Sequence, residues 1–291
     1  MPLPSILGFA SVKANLGKLA NKGFELSLNG DIIRTNDFTW TSSGRFSFNR
    51  RKLKSLYGDM EDVLDENGNV IGQKEKDDPK NGWFIGHDPD QIWDYEFGGV
   101  WQLGQEEEAS KYGCKPGDFR FIDQDGNGVL DDDDKTFQGY KTPRFFWSWR
   151  NEFIYKDFSL SFMLYSDIGH YDYYNHASNS GGMFDRYSTY DQPRWTPENP
   201  TNEYGRIGSY RFANYYKKKT FVRMDNISLS YAVPKDFLKK FKVQNMRISL
   251  TARNPFTITG WDYFDVEATK KNRDDGLYGM RSYNISFNFT L

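Results

Sequence analysis

The sequence predicts an all-β fold: a fragment of an antiparallel transmembrane β-barrel with about seven long spanning strands. Several stretches alternate between apolar and polar side chains, as a strand with two different faces does. Aromatic residues make up 18% of the 291 residues, although the mean hydropathy is −0.78. A barrel explains this combination, because it has a polar lumen, polar loops and aromatic girdles at both membrane interfaces. The third observation is that short and long connections alternate along the chain.

The predicted strand at 283–291 shows the alternation most clearly. Its apolar positions are Tyr283, Ile285, Phe287, Phe289 and Leu291, and small polar residues lie between them. Its length suits a tilted strand that crosses a bilayer, which takes about 9–11 residues. A half-buried strand of a soluble sandwich shows the same alternation, so this segment alone does not decide. In a barrel, these five side chains would face lipid.

The other strands follow in chain order. Two alternating runs between 24 and 49 form a predicted hairpin that turns at 34–37. Strands at 144–155 and 158–164 reverse at Lys156-Asp157, and a strand at 220–233 stops at Pro234, which cannot donate to a ladder. A strand at 246–253 precedes the last one.

Connection lengths favour a barrel over a sandwich. The predicted short turns are 34–37, 155–157 and 234–243, and the predicted long loops are about 51–143, 168–218 and 254–279. Bacterial barrels have short periplasmic turns and long extracellular loops. If the last strand ends in the periplasm, every short turn falls on that side. We therefore expect residues 1–291 to form one unit, the C-terminal part of a barrel.

Charge and cysteine content exclude several functional classes. The net charge of −2 gives no reason to expect a nucleic-acid partner, and the single cysteine, Cys114, cannot form an internal disulfide. Residues 1–10 lack the pattern of a signal peptide, and no run is long and apolar enough for a membrane helix. We expect a fragment whose targeting segment is missing.

The most specific local motif is an acidic segment at 123–134. Its spacing matches an EF-hand calcium loop, with oxygen ligands at positions one, three and five, glycine at six and a carboxylate at twelve. The predicted ligands are Asp123, Asp125, Asn127, Val129 through its carbonyl, Asp131 and Asp134. Six carboxylates so close together repel one another without a cation, which favours structural Ca²⁺ over a solvated acidic turn.

Other candidate sites rest on weaker patterns. Aromatic residues of the long loops are candidates for stacking on a glycan or other substrate: Trp83, Trp93, Trp101, Tyr171, Tyr173 and Tyr174. Such rings more often pack loops together. The chain shows no nucleophile motif, phosphate-binding loop or dinucleotide fingerprint, so we expect no enzyme.

The chain resembles the C-terminal part of the SusC/RagA family of TonB-linked outer-membrane transporters. Five segments carry the resemblance, in the family's order: Asn21-Lys22-Gly23-Phe24-Glu25, Pro116-Gly117-Asp118 with the acidic segment, Arg194-Trp195-Thr196-Pro197-Glu198-Asn199-Pro200, Phe221-Val222-Arg223-Met224 with Ser228-Leu229-Ser230-Tyr231, and Arg253-Asn254-Pro255-Phe256-Thr257-Ile258-Thr259. The chain departs from the family pattern at Asp265-Val266-Glu267 and at the final Leu291.

The resemblance implies that the strand at 283–291 is the one that closes the barrel. It also implies a function for the whole protein. It would import oligosaccharides or peptides across the outer membrane of a Gram-negative bacterium, with a SusD-like surface lipoprotein as partner. The TonB complex would act through an N-terminal part, including a plug domain, that is absent from this sequence. A soluble calcium-dependent carbohydrate-binding β-sandwich remains the alternative.

Overall fold

The structure is a computed structural model that describes residues 17–174, 193–209, 215–262, 265–268 and 279–290. The strands are β1 (Lys18–Arg34), β2 (Phe38–Ser55), β3 (Met60–Leu64), β4 (Val70–Glu75), β5 (Gln91–Tyr95), β6 (Phe97–Val100), β7 (Phe119–Phe121), β8 (Lys135–Tyr140), β9 (Phe145–Tyr155), β10 (Phe158–Ile168), β11 (Tyr171–Tyr173), β12 (Tyr216–Lys218), β13 (Phe221–Ala232), β14 (Asn245–Arg253), β15 (Thr257–Thr259) and β16 (Ser282–Thr290). Two short helices, α1 (Glu106–Lys111) and α2 (Lys235–Leu238), complete the list with 3₁₀ turns at Pro79–Asn81, Asp132–Asp134 and Lys239–Phe241.

Seven long strands form one antiparallel sheet in the order β1-β2-β9-β10-β13-β14-β16. Most neighbours pair over nearly their full length, but β2 pairs with β9 only over 38–47 and β13 with β14 only over 226–232. The short β15 pairs with the start of β13. The predicted all-β fold with seven long strands is confirmed.

Connections at the two ends of this sheet differ in length. At one end, residues 35–37, 156–157 and 233–244 join successive strands, and α2 lies in the last of these connections. At the other end lie the first long loop (56–144), the second long loop (169–220) and the third long loop (254–281). The first long loop holds three small antiparallel pairs, β3-β4, β5-β8 and β6-β7, and the second holds β11-β12.

The register places the apolar positions of all seven strands on one face. Across the middle of the sheet, Leu160 pairs with Leu229, Leu229 with Leu250, and Leu250 with Ile285. We call this side the apolar face and the opposite side the polar face. The pairing of β1 with β2 has two register shifts, one between Lys18 and Leu19 and one after Asp31, and the second sets Ile33 rather than Ile32 opposite Trp40.

Most residues of the buried apolar clusters lie in the long loops, and Phe221 of β13 joins one of these clusters. One contains Tyr174, Tyr204, Phe221, Trp261 and Val266, and a second contains Val100, Phe119 and Trp195. In the part of the chain that the structure describes, no second sheet covers the apolar face, where Leu250 remains 51% exposed. A sandwich would bury that face, so the β-sandwich alternative is not supported. Among the described helices, none is long and apolar enough to span a membrane.

Candidate functional site

The apolar face is a continuous band that ends in aromatic rows. Near the short connections, Trp40 stacks on Phe153 with ring centroids 5.6 Å apart, and Phe158 lies 4.7 Å from Tyr231. Near the long loops, rings of Phe24, Phe48, Phe46 and Phe145 form a second row, with centroids 6.1–6.4 Å apart. The rings of Trp149 and Phe162 lie between these two rows. An exposed apolar face with aromatic rings near both ends matches the surface of a membrane barrel.

The predicted closing strand lies at one edge of this band. Tyr283, Ile285, Phe287 and Phe289 of β16 are all on the apolar face and 58–72% exposed. Leu291 lies outside the described residues. Whether β16 closes a barrel stays a prediction.

The polar face carries hydroxyl and charged side chains. Hydroxyls pair across neighbouring strands, with Ser228 Oγ and Thr251 Oγ1 2.9 Å apart and Ser230 Oγ and Ser249 Oγ also 2.9 Å apart. Hydroxyl and charged groups are costly to place against lipid, even when some of them pair across strands. The polar face is therefore suited to water.

An ion-pair network joins this face to the third long loop. The buried Arg223 of β13 donates to Asp265 over 2.8 Å and also to Glu267, which in turn accepts a 2.6 Å bond from Tyr165. Both segments carry sequence motifs, but their pairing could not be predicted from the sequence. Residues 223 and 265 are far apart in the chain, and no local pattern links them.

Contacts between side chains join the first and second long loops. Arg206 lies 2.8 Å from the buried Asp118, and Trp195 Nε1 donates to Gln102 over 2.8 Å. Tyr216 also donates to Asp94 over 2.8 Å, and burial followed by the Asp94 charge raises the pKa of this tyrosine.

The second and third long loops meet around Asp262. This carboxylate accepts from Tyr174 over 2.8 Å and from Lys217 over 3.0 Å. Burial raises the pKa of Tyr174, and its hydrogen bonds to Tyr204 and Asp262 raise it further. The hydroxyl of Tyr174 therefore stays protonated as a donor. Together, the three long loops form one connected layer over the end of the sheet.

The acidic segment folds into a tight loop in which carboxylates accept backbone N–H groups. Asp123 Oδ1 accepts from Gly126, and its Oδ2 accepts from Gly128 and from the Tyr112 hydroxyl, all within 2.9 Å. Desolvation acts to raise the pKa of Asp123, but these hydrogen bonds outweigh it and the pKa is lowered. Asp123 is therefore ionised at neutral pH.

Part of the predicted metal ligand set converges in this loop. Asp123, Asp125 and Asp134 each offer an oxygen, and these three atoms lie within 4.8 Å of one another. Asp131 is not in this group, and its Oδ1 instead accepts from the backbone of Asp133. The side-chain oxygen of Asn127 accepts from the backbone of Val129 at 2.7 Å. Three carboxylate oxygens fit the preference of Ca²⁺ for hard ligands.

The predicted stacking residues occupy different environments. Tyr174 and Trp101 are buried in separate loop clusters, and Tyr171 packs its ring against Gly139. Tyr173 faces Tyr216 at 6.1 Å and Trp83 faces Tyr57 at 6.5 Å. Trp93 lines a cavity of about 390 Å³ whose other walls are Phe84, His87, Gln91, Phe137 and Tyr140. Substrate contact by these rings stays a prediction.

The chain is similar to part of several TonB-dependent receptors. It is 31% identical over 278 residues to the TonB-dependent receptor P3 of Formosa agariphila, covering 93% of this chain and 27% of that protein. It is 28% identical over 271 residues to the TonB-dependent receptor SusC of Bacteroides thetaiotaomicron, covering 89% of this chain and 25% of SusC. No family model matches the chain.

A solved structure shares the fold. The RagAB peptide importer in its open-open state aligns with a TM-score of 0.70 at 22% identity, over all of this chain and 31% of that one. The chain thus spans between a quarter and a third of the length of these proteins.

Proposed function

We propose that the chain is part of a TonB-dependent receptor of the SusC/RagA type and that it forms the C-terminal wall of an outer-membrane transport barrel. One observation carries this proposal: seven paired strands present an exposed apolar band with an aromatic row at each end and polar side chains behind it. Lipid would cover the band, and water would fill the lumen on the polar face. The long loops would then be extracellular.

The complete receptor would import oligosaccharides or peptides into a Gram-negative bacterium. Support comes from the names of the similar proteins, which are a TonB-dependent receptor called SusC and a RagAB peptide importer. A SusD-like surface lipoprotein would cover the loops, and the TonB complex would act through the N-terminal part. The chain would contribute binding surface and a wall rather than enzymatic activity.

Transport can be tested in the native bacterium by deleting the gene that contains this sequence. We expect the deletion strain to lose uptake of one oligosaccharide or peptide class, and a plasmid copy to restore it. The same loss is expected when TonB is inactivated. Unchanged uptake of every glycan and peptide fraction that the parent strain consumes would contradict the proposal.

We also propose that the acidic loop at 123–134 binds Ca²⁺ and thereby fixes the first long loop. The three converging carboxylates of Asp123, Asp125 and Asp134 support it. Asn127, the Val129 carbonyl and Asp131, directly or through water, would complete the shell. The role would be structural because these oxygens belong to one short loop.

Calcium titration of the complete receptor tests this site. We expect saturable heat from one added Ca²⁺ site, which Asp123→Asn removes because it takes away a charged ligand. Asp132→Asn is the matched control, since Asp132 is an exposed neighbour that pairs with Lys135 instead. No Ca²⁺ binding up to millimolar concentration, or equal loss in both variants, would reject the site.

A further inference from the structure

A cavity of about 400 Å³ lies where the second and third long loops meet the end of the sheet. Its charged and polar walls come from several elements: Asp167, His170, Asp172, Lys219 and Glu267, with Phe221 beneath them. Asp167 lies on the polar face, because it alternates along β10 with Ser166 and Ile168, which are on the apolar face. Its partner on β13, Phe221, is on the polar face too. In the proposed barrel, this cavity therefore opens toward the lumen.

The cations near this cavity already have partners. Lys219 Nζ lies 2.7 Å from Asp172 Oδ2 and also donates to the Ala268 carbonyl at 3.2 Å. Arg223 pairs with Asp265 and Glu267. In contrast, the partly buried Asp167 side chain has no hydrogen bond or ion pair with another described residue. A carboxylate that is partly desolvated without a partner is costly, so a cationic donor in the cavity would stabilise the ionised form of Asp167.

His170 provides a second, independent observation. Its side chain is 8% exposed, lines the cavity, and has no hydrogen-bond partner for Nδ1 among the described residues. A buried polar atom without a partner is costly. Burial, and then the charge of Lys219, lower the pKa of His170 to about 4, so the ring is neutral at pH 7 and cannot neutralise Asp167. A ligand that donates hydrogen bonds would satisfy both groups.

We propose that this cavity binds the ammonium or guanidinium group of a peptide substrate, with Asp167 as the counter-ion and His170 Nδ1 as a hydrogen-bond acceptor. The inference rests on the proposed transport function and narrows its substrate class to peptides with a basic side chain. A neutral sugar would leave the charge of Asp167 uncompensated. A divalent cation is disfavoured, since the carboxylates around this cavity do not converge as those of the acidic loop do.

The test compares two blocked peptides on the complete receptor in detergent. Both are N-acetylated and C-amidated, with the sequence Gly-Ala-X-Ala-Gly, where X is lysine or the uncharged norleucine. Calorimetric titration should show about tenfold or greater preference of the parent protein for the lysine peptide, as a charge-assisted hydrogen bond predicts. Asp167→Asn should reduce the preference to less than about twofold while leaving the norleucine affinity unchanged.

Two further variants test whether the preference for the lysine peptide depends on a negative charge at position 167. Asp167→Glu keeps the charge and should restore most of the preference. Asp236→Asn removes an exposed carboxylate at the opposite end of the sheet, where it pairs with Lys239, and should change nothing. The unchanged norleucine affinity in each variant reports that the cavity remains folded.

The outcomes separate this inference from transport itself. Equal binding of the two peptides to the parent receptor, binding of neither, or a preference that survives Asp167→Asn, overturns the cation site. Uptake of other substrates in the native bacterium would still support the transport function. If deletion of the gene leaves all uptake unchanged, the transport function fails independently of the titration.

Discussion

At the scale of single residues, Gly117 couples the first long loop to the second. Its φ of +87° is in the left-handed region, and an added Cβ would lie 2.5 Å from Trp195 Cε3 and 2.8 Å from Arg206 Cβ. Gly117→Ala should therefore displace both side chains in addition to straining the backbone. We expect this variant to destabilise the loop contact by about 2–4 kcal/mol, measured as protease cleavage of the loops at increasing urea concentration.

Gly104 offers a matched control for this substitution. Its φ of +84° is nearly the same, but an added Cβ would meet nothing within 4 Å. Gly104→Ala should cost only the backbone term of about 1 kcal/mol. Equal protease resistance of the two variants would show that Gly117 does not hold the loops together through packing.

Local spacing predicted some of the candidate site and could not predict the rest. Asp123, Asp125 and Asp134 belong to one continuous motif, so their convergence could be expected from the sequence. Arg223 and Glu267, or Asp167 and His170 with Lys219, come together only through the pairing of distant segments. Composition and spacing cannot predict this pairing, because the pairing depends on the three-dimensional contacts of the loops.

At the scale of elements, β14 shows how one strand separates two environments. Leu250 lies on the apolar face between Leu229 and Ile285, and Thr251 lies on the polar face with its hydroxyl bonded to Ser228. Near the middle of a spanning strand, an arginine facing lipid costs about 2–4 kcal/mol. We expect Leu250→Arg to reduce the free energy of unfolding of the complete receptor in lipid vesicles by this amount.

Thr251→Arg is the control for that prediction, because it places the same charge one residue further along the same strand. We expect a change of less than about 1 kcal/mol, since the polar face meets water. Urea titrations in vesicles, followed by electrophoretic mobility of unheated samples, measure both values. A larger cost at position 251 than at position 250 would reverse the assignment of the two faces.

The strands followed from alternation, but their exact register did not. Period-two patterns identify the face of each side chain because successive residues point in opposite directions. They do not identify bulges, such as the shift after Asp31 that brings Ile33 to the apolar face, or the shift in β13 between the residues facing Met163 and Leu164. The short β15 could not be predicted from alternation either, since three residues are too few to show a period.

At the scale of the whole molecule, the connected loop layer should respond to pH separately from the sheet. His170 lies at the base of this layer, where Lys219, Asp172, Asp167 and Glu267 face it across the cavity. Burial and then Lys219 lower its pKa from 6.5 to about 4 in the folded protein, although Asp172 acts in the opposite direction. An opened loop would regain the ordinary pKa of histidine.

Stability of the loop layer should therefore fall on mild acidification. Below pH 6.5, His170 binds a proton when the loop is open, whereas in the closed loop it stays neutral down to about pH 4. Acid therefore favours opening. Between pH 7 and pH 5, the free energy of opening should fall by about 2 kcal/mol, a roughly 30-fold increase in open population. Hydrogen exchange of the segment around Lys219, corrected for intrinsic rates, measures this change, while β14 should show none. His170→Gln should remove most of this pH dependence, because it takes away the group whose pKa differs between the closed and the open loop. If the slope persists in that variant, another group controls the loops.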